Sequence, residues 1–194
     1  MNSLLENKKM WYVDGQISTA TEWLQQSDEA VTSFLKFSAL YSCFNALFWC
    51  SSKRAGDRSM LEDFLLRYEL KIRSDYEEMA KDILSYTKSN FRNGVRKLHE
   101  RIEGKEPRQF EFSNGKNMAE LEIEELGANR AVRYCIELMY QFRCNLVHGS
   151  KDIRYDANKE LCSKFCDFMQ LFLPAIKGEM HENLMELYRV SREA

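Results

Sequence analysis

Apolar residues along this chain recur at intervals of three and four, and nowhere with the sustained two-residue alternation of a strand. The pattern predicts a short helix over about 17–26, behind a weak lead-in at 1–16. A longer helix is predicted over about 28–51, capped by Ser27 or Asp28, with Val31, Phe34, Leu35, Ala39, Phe44, Leu47 and Phe48 close to one face. Gly56 and Asp57 break the pattern. The next helix, about 57–73, carries Met60, Phe64, Leu65 and Tyr68, and another runs from Ser74 or Asp75 to about Thr87. Between 90 and 116 a charged stretch is punctuated by Gly94, Gly104, Pro107 and Gly115, so a loop-rich insertion with a short helix is expected. A helix near 117–126 completes this extra segment and ends at Gly127. The next helix covers about 128–148 and is stopped by Gly149, a residue suited to the position after a helix end. After a polar turn at about 149–154, a helix starts near Asp156 and reaches about Phe172. Pro174 is expected to interrupt it, and a last amphipathic helix covers about 176–192. The fold class is therefore all-α: an irregular helical bundle in one domain over 1–194, with its core at about 28–173.

Composition narrows this picture. The chain has 194 residues, enough to bury a core without metal or disulfide help. Two prolines and eight glycines mean few turns and long elements. A formal net charge of -2 does not mark a general nucleic-acid coat protein, so any RNA would be held at a local basic patch. The cysteines (Cys43, Cys50, Cys135, Cys144, Cys162 and Cys166) form no C-x-x-C pair. Most lie among apolar residues at helical spacing, as small buried hydrophobes in a reducing compartment would. No Cys/His cluster has ligand spacing, so neither a metal nor a cofactor is expected. The N-terminal stretch lacks the apolar core of a signal sequence, and the most apolar run, Ala39 to Cys50, is too short for a membrane span. A cytoplasmic protein is expected.

The helix at about 128–148 carries the chemistry. At about 100° per residue, Cys135, Leu138, Met139, Phe142 and Leu146 form one apolar stripe, and Ile136, Tyr140, Cys144 and Val147 form a second. A helix apolar on two sides is covered on two sides: one by its own core, the other by a candidate subunit interface. Arg143 lies at the border of the stripes, where a charge is costly without a purpose or a partner. Four residues separate it from His148. Such a spacing arises often by chance; Arg92 and His99 provide a similar pair in a polar segment, where a surface histidine is the ordinary reading. Arg143 can equally be a buried paired arginine, and His148 a helix-terminal cap.

The segment Tyr140-Gln141-Phe142-Arg143-Cys144-Asn145-Leu146-Val147-His148-Gly149-Ser150-Lys151 closely resembles the signature of HEPN domains (higher eukaryotes and prokaryotes nucleotide-binding). Leu40-Tyr41-Ser42-Cys43-Phe44-Asn45-Ala46-Leu47-Phe48 is similar to the Phe-Asn-Ala-Leu segment on the early helix of the same branch. The resemblance covers roughly 28–173. It implies an irregular antiparallel helical bundle of the HEPN type, commonly a homodimer with the motif helices of two subunits lining a shared cleft. Many members are metal-independent endoribonucleases of toxin–antitoxin and antiviral systems; others only bind RNA, a nucleotide or a partner protein. Many nuclease members carry a polar residue directly after the arginine; here Cys144 stands there, and Asn145 follows one step later.

The resemblance makes Arg143, His148 and Asn145 the candidate catalytic residues. His148 would move protons as base or acid, favoured in its charged form by the helix C-terminus. Arg143 would bind the phosphorane through its fork of donors. Asn145 would orient the histidine or hold a phosphate oxygen. On one regular helix, positions 143 and 148 differ by about 140°. Either the helix end unwinds at Gly149, or the site combines residues of two subunits. Lys151, Arg154, Lys159 and Lys164 are candidates to grip RNA, with a solvated face as the alternative. Asn45 and Tyr140 are candidate supporting residues; Asn45 can also be a satisfied core amide. The expected partners are RNA, a second copy of the chain, and an antitoxin or defence-system protein.

Overall fold

The computed structural model describes residues 2–49, 74–91, 112, 114–147 and 155–193. Among these the chain is helical, with α1 (Asn2–Asp28), α2 (Ser33–Trp49), α3 (Ser74–Asn90), α4 (Ala128–Val147) and α5 (Asp156–Glu193), and two 3₁₀ turns, Met118–Glu120 and Ile123–Glu125. No strand occurs among the described residues. The expected helix at 57–73 and most of the 90–116 stretch lie outside them. The chain divides into two compact units, residues 1–69 with 169–194, and residues 70–168.

The first unit holds α1, α2 and the second part of α5. Helix α1 begins far earlier than the pattern suggests, and the weak lead-in is helical almost throughout. From Trp11 onward, Ile17, Ala20 and Ser27 are its fully buried residues, with Val13, Gln16, Thr21 and Leu24 half-buried beside them. Such a narrow apolar stripe leaves little periodicity to read. The boundary with α2 also moves. Ser27 does not cap the second helix; its hydroxyl donates to the Leu24 carbonyl at 2.7 Å and finishes the first. Thr32 is the cap, accepting the Leu35 amide on Oγ1 at 3.2 Å. On α2, Phe37, Leu40, Tyr41, Phe44, Leu47 and Phe48 are buried. Phe44 and Phe48 meet edge-on at 5.2 Å. From α5, Met169, Phe172, Leu173, Ile176, Met180 and Leu184 supply buried groups at helical spacing. Lys177 ties this stretch to α1 through a 3.2 Å bond from Nζ to Thr21 Oγ1.

Pro174 sits inside α5 without ending it. The expected break is absent because the ring lies at an exposed position, where water can take the carbonyl that loses its N–H partner.

In the second unit α3 packs on α4 and on the 3₁₀ segment between them. The helix expected at 117–126 is instead two single turns with extended residues at Leu121 and Leu126. Met118, Leu121, Ile123 and Leu126 are all buried. Steps of three, two and three cannot share one face of an α-helix, so the backbone kinks to bury all four. Two α3 lysines hold the segment by donating to its carbonyls: Lys88 to Leu121 at 2.7 Å and Lys81 to Glu124 at 3.1 Å. The first stretch of α5 packs here through Phe165, 5.4 Å from Phe142 on α4. Lys164 bonds Asp82 of α3 at 2.6 Å and lies 5.4 Å from the Tyr86 ring centre.

Candidate functional site

The motif helix α4 starts after Gly127, whose carbonyl accepts the amides of Arg130 and Ala131 at 3.0 Å. Its core stripe holds as expected: Cys135, Leu138, Met139 and Phe142 are buried and Leu146 half-buried. The second stripe opens along the helix. Ile136 is fully buried, Tyr140 and Cys144 are half-buried, and Val147 is 62% exposed.

Arg143 is half-buried and lies near this opening stripe, close in azimuth to Ile136 and Val147. Asn145, two residues on, is turned by about 200° toward the other side. It is 2% exposed and accepts a 3.0 Å hydrogen bond on Oδ1 from Gln141 Nε2, one turn earlier. Two of the three candidate catalytic residues therefore share the last turns of one helix but face different ways. A residue as buried as Asn145 acts by holding its neighbours rather than by meeting a phosphate in the single chain. Gln141 was not singled out from sequence, although an amide four residues before another on a helix is a recognisable pair.

His148, the third candidate, lies outside the described residues, as do Lys151 and Arg154. Lys159 is described: it is exposed in the first turn of α5 and bonds Asp156 at 3.2 Å. An exposed pair of that kind is weak and exchangeable. Lys164, by contrast, is committed to the α3–α5 contact. Its bond to Asp82, with lesser help from Glu160, raises its pKa, and burial with the adjacent Glu160 raises that of Tyr86. The Tyr86 hydroxyl also donates to the Ala157 carbonyl at 3.4 Å, so α3 holds the first turns of α5 just after the motif segment. Tyr140 is half-buried on α4, and Asn45 is half-buried on α2, in the first unit.

Among the described residues no group of three or more His, Cys, Asp or Glu side chains could hold a metal ion. No described helix is long and apolar enough to cross a membrane. Comparison with protein-family models, with curated proteins and with solved structures gives no match.

Proposed function

We propose that the chain is a metal-independent endoribonuclease of the HEPN type, acting in the cytoplasm as a homodimer through α4, in a toxin or antiviral role. The observation that carries this reading is the end of α4, where a half-buried arginine stands beside an apolar stripe that opens toward the motif segment. The planar fork of donors on an arginine at that position matches the geometry of a phosphate. Covering the opening stripe with a second copy would bring two Arg143 side chains and two motif segments into one cleft.

In the proposed reaction the ribose 2′-oxygen forms a bond to the adjacent phosphorus and the bond from phosphorus to the 5′-oxygen breaks. The products are a 2′,3′-cyclic phosphate and a 5′-hydroxyl end. His148 takes the proton from the 2′-hydroxyl, and the second copy's histidine returns one to the leaving oxygen. Arg143 neutralises the extra charge of the phosphorane. Asn145, fixed by Gln141, steadies the last described turn of α4, three positions before His148 in the chain. Lys151, Arg154 and Lys159 bind the flanking phosphates.

One observation favours a second reading. Cys144, half-buried after the arginine, replaces a polar residue that many nuclease relatives of this type carry, which suits a module that binds RNA, nucleotide or protein without cutting. The deciding experiment incubates the purified protein with total RNA in excess EDTA, beside Arg143→Ala and His148→Ala. Cleavage by the wild type alone, leaving cyclic phosphate ends, supports the nuclease. Intact RNA with all three proteins, while the wild type is folded and dimeric, rules it out; retained RNA binding would then favour the module.

A further inference from the structure

Asn114 and Gly115 form a dipeptide with a reaction of its own. The backbone nitrogen of the glycine can attack Cγ of the asparagine side chain and close a five-membered ring. Glycine allows this because no Cβ obstructs the approach. The bond from Gly115 N to Asn114 Cγ forms, and the bond from Cγ to Nδ2 breaks. Nδ2 leaves as ammonia, carrying the proton given up by Gly115 N. Water then opens the cyclic imide at either carbonyl, giving aspartate or isoaspartate. Water is the only reagent required, and Asn114, Gly115 and Lys116 are all exposed to it.

The surroundings of the dipeptide restrain this chemistry. Gly115 has φ 81°, in the left-handed region that favours glycine, and sits in a tight turn. Its N–H donates to the Phe112 carbonyl at 2.9 Å, and the Phe112 N–H donates to the Lys116 carbonyl at 2.9 Å. The Asn114 amide is held at both ends. Oδ1 accepts the Lys116 N–H at 3.2 Å, and Nδ2 donates to the Tyr134 hydroxyl on α4. The first of these bonds fixes which end of the amide is oxygen. Tyr134 is a firm anchor: it is 1% exposed, and its ring centre lies 4.3 Å from that of Phe112.

Each bond opposes ring closure. Gly115 N must give up the proton that it shares with Phe112. Nδ2 must receive a proton to leave, yet here it donates one to Tyr134. Cγ becomes tetrahedral during the attack, which moves Oδ1 and Nδ2 away from partners placed for a planar amide.

We propose that Asn114 is a guarded modification site: it converts to aspartate and isoaspartate by ring closure on Gly115, at a rate held down by the Tyr134 hydroxyl. The product gains a negative charge, and isoaspartate lengthens the backbone of a turn that packs on α4 through Phe112 and Tyr134. This chemistry is independent of the nuclease reading and of the α4 pairing.

The test incubates the full chain, Tyr134→Phe and Leu161→Val in mildly alkaline buffer, with circular dichroism to confirm folding. Peptide mass spectrometry over time reads the replacement of NH2 by OH at position 114. Tyr134→Phe removes the hydroxyl and keeps a ring against Phe112. Loss of one ordinary hydrogen bond predicts conversion about fivefold faster than in the wild type. Leu161→Val narrows the core on α5, away from the turn in sequence, and should convert at the wild-type rate. Asn93-Gly94, the same dipeptide outside the described residues, serves as the internal reference and should convert alike in all three. Wild type unfolded in urea has no guard and should convert faster at 114 than the folded chain. Equal rates at 114 in wild type and Tyr134→Phe overturn the proposal, and so do equal rates in folded and unfolded wild type. Equal acceleration by Leu161→Val also overturns it, since general loosening would then be the cause.

Discussion

Cys43 on α2 shows how far burial alone can move a side chain. Loss of water, offset in part by Lys177, pushes its thiol up to about 12 from an ordinary 9.0. Cys135, fully buried on α4, is raised for the same reason. The unfolded thiol gives up its proton first, so the stabilising effect is complete below pH 9.0 and is lost as pH rises toward 12. One such group contributes a slope of about 1.4 kcal/mol per pH unit. Urea unfolding between pH 8.5 and 11 should therefore show falling stability, with a shallower fall in Cys43→Ala; equal slopes would contradict it. At α4 the two candidate residues should separate. Asn145→Ala removes a buried, hydrogen-bonded amide and is expected to cost about 1–3 kcal/mol of stability. Arg143→Ala is expected to cost less than about 1 kcal/mol while abolishing RNA cleavage. Denaturation midpoints beside gel assays distinguish the two. The resemblance grouped Arg143 and Asn145 as members of one motif. Their opposite azimuths follow from helix geometry, but the near-complete burial of Asn145 depends on tertiary packing.

Elements whose apolar residues repeat at three and four were readable: α3, α4 and the start of α5 begin close to where the pattern put them. Those that escaped have specific causes. In α1 an exposed aromatic face disguises the buried one, since Trp11 and Trp23 count as apolar but face solvent. At 118–126 a two-residue step between buried leucine and isoleucine replaces the helix by turns. Pro174 reads as a break when considered alone, yet buried residues on both sides of it hold α5 in line. That continuity comes against the proline's own preference. A proline inside a helix costs about 3 kcal/mol relative to alanine. Pro174→Ala should raise the thermal midpoint, and a calorimetric scan showing no rise or a fall would mean that α5 owes its course to the ring.

Across the whole molecule the charges nearly cancel, so the proposed RNA binding requires a few neighbouring cations to supply the attraction. With Lys151, Arg154 and Lys159 as the contacts, raising salt from about 50 to 200 mM should weaken single-strand binding by roughly 20-fold. Fluorescence anisotropy with His148→Ala would measure it; a salt-independent affinity would exclude these residues as phosphate contacts. The division into units has another side, which concerns synthesis. The first unit is assembled from pieces that flank the second in the chain. A ribosome adding about 5–20 residues per second needs roughly one to five seconds to deliver residues 169–194 after position 168 has been made. Throughout that interval the unit bearing Arg143 has all its residues, while α1 and α2 still await the helix that covers them. The unit bearing Arg143 can fold first, and the nascent chain's surface most in need of a chaperone is the apolar side of α2.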